Sequence, residues 1–122
     1  MSVSDPWWAP GRIASLLGAG GIAVHLALAG EHAGHAPAVL AGLAVLALVC
    51  LPCGFQLWKR PSDRAAWTSL LALSGLMTLL HLGMRPQGAM LFAVLAVPVA
   101  QLLLGFTVMV RRAQAAPGRS PA

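Results

Sequence analysis

The chain has 122 residues, 58% of them hydrophobic and only 9% charged. Soluble domains carry about 25% charged residues, so this composition points away from a water-soluble fold and toward a bilayer, where apolar side chains can face outward. The formal charge of +5 comes from eight Lys plus Arg against three Asp plus Glu. No aromatic-rich basic patch accompanies it, so the expected partner is an anionic lipid surface and not nucleic acid.

Residues 1–11 form a short lead in which Trp7 and Trp8 are adjacent. Tryptophan favours the membrane interface, so the pair is expected at headgroup level. The first apolar run, 13–30, has 18 residues, at the short end of what spans about 30 Å of hydrocarbon. Further runs follow at 37–58, 65–84 and 88–110. The expected fold is all-α: an integral membrane four-helix bundle of one domain, 1–110, with antiparallel up-down neighbours. Short connections at 31–36, 59–64 and 85–87 impose the alternation. Residues 111–122 are rich in Ala, Pro and Gly and are expected to form a disordered tail.

Basic residues set the expected orientation. Arg12, Lys59, Arg60, Arg64, Arg111, Arg112 and Arg119 fall on one side of a four-span arrangement, and Arg85 alone on the other. The positive-inside bias then places both termini in the cytoplasm and the protein in the cell membrane. A competing reading makes residues 1–29 a cleaved signal peptide ending in Ala27-Leu28-Ala29. Asp5, Trp7, Trp8 and His25 fit that reading poorly, so a retained span is preferred. Gly18, Gly20 and Gly21 in the first span read as close-packing positions.

Polar residues within spans are costly and informative. They form two layers. The outer layer holds His25, His81, Met77, Met84 and Met90, with His32 and His35 beside Glu31 in the first loop. Met77, His81 and Met84 are spaced four and three apart, which puts them on one helical face. Imidazole binds several transition metals, and thioether favours Cu(I), so this layer suits copper. The inner layer is Cys50-Leu51-Pro52-Cys53. The thiols sit about 60° apart around a helix that Pro52 disturbs, and together they suit a soft ion. Ser74, Gln101 and Pro98 lie at similar depth. Counting from the span ends separates the two layers by about 12–16 Å, so they would act as two stations.

The cysteine pair resembles that of bacterial mercury-uptake proteins, small multi-span proteins with paired cysteines in a membrane helix. Here the pair lies in the second span instead of the first, and the likeness covers four residues, Cys50 to Cys53. The Met77, His81, Met84 face is similar in chemistry to copper-handling membrane proteins.

Three functions follow as expectations. The first is a soft-metal-handling membrane protein, copper favoured, using His25, His81, Met84, Met77, His32 and His35 outside and Cys50 and Cys53 within. The second is a haem-binding electron carrier ligated by His25 and His81. The third is a non-catalytic accessory subunit beside a larger membrane complex. The small bundle is expected to work as a homo-oligomer or with a partner membrane subunit. No acidic residue lies within a span and no nucleophile has a base, so an enzyme is not expected, thiol redox chemistry at the cysteine pair excepted.

Overall fold

The computed structural model describes residues 6–31, 37–85, 87–116 and 118. Four helices account for nearly all of them: α1 Pro10–Glu31, α2 Pro37–Lys59, α3 Arg64–Gly83 and α4 Ala89–Ala115. No strand occurs among the described residues. Two of the helices, α3 and α4, are long and apolar enough to cross a membrane.

Local chemistry explains the helix ends. Pro10 and Pro37 open α1 and α2, where a missing N–H is harmless and a fixed φ suits the first turn. Asp63 caps α3: its Oδ1 accepts from the Ala66 N–H at 3.1 Å. Its Oδ2 accepts from Gln56 Nε2 at 3.0 Å, tying the last turn of α2 to the first turn of α3. These bonds, Gln56 foremost, hold the Asp63 carboxyl below its ordinary range. The connection from α3 to α4 turns through Arg85 at φ 50° and Gly88 at φ 62°. Gly88 also has ψ −139°, a backbone region open essentially to glycine alone.

The last helix differs from expectation. It runs to Ala115, so the first five residues of the expected disordered tail are helical. Arg111 and Arg112 are good helix formers, and their charge complements the negative end of the helix dipole. Residues 117 and 119–122 lie outside the described residues.

The helices form a square in which α1 packs on α2 and α4, and α3 packs on the same two. Contacts fix the directions. Arg12 Nε donates to the Trp58 carbonyl at 3.3 Å, joining the start of α1 to the end of α2. Gly21 faces Val97 and Gly105 faces Leu71, so α4 runs against both α1 and α3. Neighbours are therefore antiparallel, and α1 and α3 are parallel across the diagonal.

One end of the square is tightly filled. Trp67 and Leu57 are fully buried there with Ala14, Ala66 and Leu70, backed by Leu104, Val108 and Met109. Trp67 Nε1 donates to the Pro61 carbonyl at 2.8 Å, which satisfies the one polar atom of the ring. Glycine permits the close approaches nearby: a methyl on Gly11 would lie 2.6 Å from Pro61 Cα. Arg12, Lys59, Arg60, Arg64, Arg111 and Arg112 all belong to helix ends or loops at this end. Arg12 stacks on Trp58 at 5.5 Å, and Lys59 on Phe55 at 4.5 Å, both within cation–π range. Elsewhere the outer surface is apolar, with Leu16, Leu26, Leu48, Leu79, Phe92, Leu103 and Phe106 all exposed.

Candidate functional site

Above the packed end the four helices enclose a cavity of about 300 Å³. Every helix contributes to its wall. His25 comes from α1, Cys50 from α2, Ser74 and Met77 from α3, and Val94, Pro98 and Gln101 from α4. Leu51, Phe55 and Trp58 line it while remaining exposed, so it opens on the side of α2.

Part of its wall is a polar clasp. Ser74 Oγ donates to Gln101 Oε1 at 3.0 Å, and Gln101 Nε2 donates to the Ala14 carbonyl at 3.2 Å. Three helices are joined by two hydrogen bonds, and both polar side chains are buried. Gly18 makes room: a methyl there would lie 3.3 Å from Gln101 Nε2. A methyl on Gly21 would meet Val97 at 3.1 Å, whereas Gly20 faces open space. Packing thus explains two of the three glycines of α1.

At the far end, His25 and His81 meet across the diagonal. Their ring centroids are 5.5 Å apart in an edge-to-face arrangement, with 65° between the planes. His81 is buried. Each ring is anchored to its own helix one turn back: His25 Nδ1 lies 2.7 Å from the Gly21 carbonyl and His81 Nδ1 lies 2.7 Å from the Met77 carbonyl. A carbonyl only accepts, so Nδ1 carries the proton in both rings and donates. In the neutral ring this leaves Nε2 as a free lone pair. His25 Nε2 is buried and has no hydrogen-bond partner. An imidazole whose Nδ1–H is fixed on a carbonyl and whose Nε2 is unpaired has the form of a metal-ligating histidine.

Pro98 adds another electron-pair donor. Lacking an N–H, it leaves the Val94 carbonyl without its helical partner, and both residues are buried in the cavity wall.

The remaining expected residues divide. Met77 joins His25 in the cavity wall. Met84 follows the last residue of α3 and is 67% exposed, so it is turned away from the pair. Met90 is exposed as well. Both cysteines are free and half-buried, but only Cys50 lines the cavity. Gly54 lies level with Ser15, which puts Cys50 level with about Ala19, six residues or about 9 Å below His25. That is closer than the span-end count gave. His32 and His35 lie outside the described residues, as does the Glu31 side chain. Among the described residues no three of His, Cys, Asp or Glu converge on one point.

Two parts of the site were absent from the sequence reading: the Gly21 and Met77 carbonyls that orient the rings. Both stand four residues before a histidine. That spacing is a signal a sequence search can use.

The arrangement is that of an all-α four-helix bundle with an off-centre cavity lined by His25, which His81 of α3 meets edge to face. Comparison with protein-family models, curated proteins and solved structures gives no match to this chain.

Proposed function

We propose that this chain is a four-span membrane protein, with both termini cytoplasmic, that holds a soft transition-metal ion between His25 and His81. Copper is the favoured ion. The observation that carries the reading is the matched anchoring of the two rings, with a buried, unpaired Nε2 on His25. Met77 supplies a thioether in the same cavity, a soft ligand suited to Cu(I). Cys50 stands deeper in that cavity as a second soft station, which an ion leaving the histidines reaches without crossing a helix.

The membrane setting rests on three supports. At most 28% of the apolar stretch of α3 and 17% of that of α4 is buried, unlike the core helix of a soluble protein. Large apolar side chains cover the outside of the bundle. With 22 and 23 residues, α1 and α2 reach about 33–35 Å, enough to cross as well. Six described basic residues at one end then orient that end toward the cytoplasm.

Haem is the weaker reading. Linear bis-histidine ligation needs ring centroids about 6.4 Å apart with a porphyrin between them, allowing about 2 Å per metal bond. Rings at 5.5 Å touch edge to face and leave no slot for that plane. A bent N–metal–N angle near 120° fits the same spacing with about 2 Å bonds.

Metal analysis of the detergent-purified chain tests the proposal. After anaerobic loading under reducing conditions, about one copper per chain sensitive to His25→Ala and His81→Ala is expected. Copper at background in the wild type would sink it, and a Soret band on the purified protein would revive haem.

A further inference from the structure

The donor set of the histidine pair also bears on the charge of its ion. We propose that the site admits monovalent soft cations, Cu(I) and its analogue Ag(I), and rejects divalent ones such as Zn(II). This rests on the reading of His25 and His81 as metal ligands.

Among the described residues, no carboxylate stands among the electron-pair donors beside the histidine pair. Nδ1–H is committed to a carbonyl in both rings, so each neutral imidazole offers one uncharged lone pair. Met77 offers an uncharged sulfur, and the Val94 carbonyl an uncharged oxygen. Among the described residues no Asp, Glu, Lys or Arg lines the cavity. Asp63 is the only acidic residue whose side chain is described, and it caps α3 at the opposite end, bonded to Gln56 and Ala66. The Cys50 thiol is the one cavity group able to become an anion, and it stands about 9 Å below His25. The two proton-donating side chains of the clasp are engaged: Ser74 bonds Gln101, and Gln101 bonds the Ala14 carbonyl.

The cost of moving an ion out of water scales with the square of its charge. A dication in this cavity therefore costs about four times what a monocation costs. Sites for divalent metals recover that cost with anionic ligands or with a shell of three or four donors. Here no three of His, Cys, Asp or Glu converge among the described residues, and the donors beside the two imidazoles, the Met77 thioether and the Val94 carbonyl, carry no charge. Cu(I) needs no anionic ligand: it accepts three uncharged soft donors in a bent arrangement, and the Met77 thioether is the third donor beside the two imidazoles. In water two imidazoles take Zn(II) and Cu(II) readily, so the discrimination comes from the cavity and not from the histidines.

The test uses the full chain in detergent with both thiols removed, Cys50→Ser/Cys53→Ser, because a thiolate binds either ion unaided. Ag(I) is the probe, being monovalent and inert to redox, and Zn(II) is its competitor. One Ag(I) per chain is expected, at least about 100-fold tighter than Zn(II), with a tenfold or greater loss in His81→Ala. Met77→Asp places a carboxylate in the cavity and should raise Zn(II) affinity toward that of Ag(I). If that variant does not fold, Val24→Asp puts the carboxylate on α1 instead. Zn(II) bound as tightly as Ag(I), and equally sensitive to His81→Ala, overturns the charge selection while leaving the metal site standing. So does a folded carboxylate variant with unchanged Zn(II) affinity. Failure to bind either ion, or binding indifferent to His25→Ala and His81→Ala, overturns both readings together.

Discussion

At the basic end of the bundle, Trp67 and Leu57 are fully buried, and the indole N–H is matched to a carbonyl. Away from it, Ser74, Gln101 and Val94 are buried in the wall of a cavity, and buried His81 packs against His25. The same four helices build both ends, so the difference lies in side chains. Large apolar rings and close glycine contacts draw the helices together below. Above, small residues on α1 and α2 and a proline in α4 leave space, and polar groups face into it. Stability and chemistry are thus placed at opposite ends. One end can hold the helices in register while the other keeps a lone pair without a partner.

The largest expected effect tests the packed end. Trp67→Ala removes the biggest buried side chain and leaves the Pro61 carbonyl unpaired, so it should destabilise the bundle by about 3–5 kcal/mol in detergent unfolding. Below that comes Gly11→Ala, whose methyl meets the Pro61 backbone and should cost about 1–3 kcal/mol. Gly20→Ala is its control, with nothing near the added methyl and an expected gain of about 0.5 kcal/mol from helix propensity. Equal losses at Gly11 and Gly20 would erase the contrast between the two ends.

Gln101→Ala probes the boundary. It breaks the clasp on Ser74 and on Ala14 and should cost about 1–2 kcal/mol, since hydrogen bonds between membrane helices average about 0.6 kcal/mol. At the histidine end, His81→Ala should abolish metal uptake at a smaller stability cost than Trp67→Ala. A large loss of stability in apo His81→Ala would mean that the pair is structural.

The smallest effect concerns pH. Asp63 has its carboxyl held below the ordinary value by Gln56 and the Ala66 N–H. Its contribution is therefore complete above the ordinary carboxylate value and fades as the pH falls through the lowered one. Asp63→Asn should flatten that acid limb of the melting temperature. An unchanged acid limb would show that other groups govern it.

Helix number was readable because the apolar runs are separated by short polar connections, and each run became one helix. The pairing of His25 with His81 was readable in part. Each sits near the same end of an odd-numbered helix, and up-down alternation brings those ends together. Met84 was misplaced for a definite reason. Helical spacing predicts a shared face only while the helix continues, and α3 ends at Gly83. The cysteine pair shows a finer limit: three positions turn the second thiol about 60° away, enough to take it off the cavity wall.

The residue order alone therefore specified an all-helical chain with its basic residues, Arg85 excepted, at one end and His25 and His81 toward the other. Composition and periodicity are local properties, and these follow from them. Helix packing was needed to show that the two rings touch, that their Nδ1 atoms are tied back, and that Cys50 and not Cys53 shares the cavity with His25. Those facts depend on the rotation and register of four helices against one another, set by contacts such as Gly54 on Ser15 and Gly21 on Val97. Such contacts join residues 39 and 76 positions apart, beyond the reach of any local pattern.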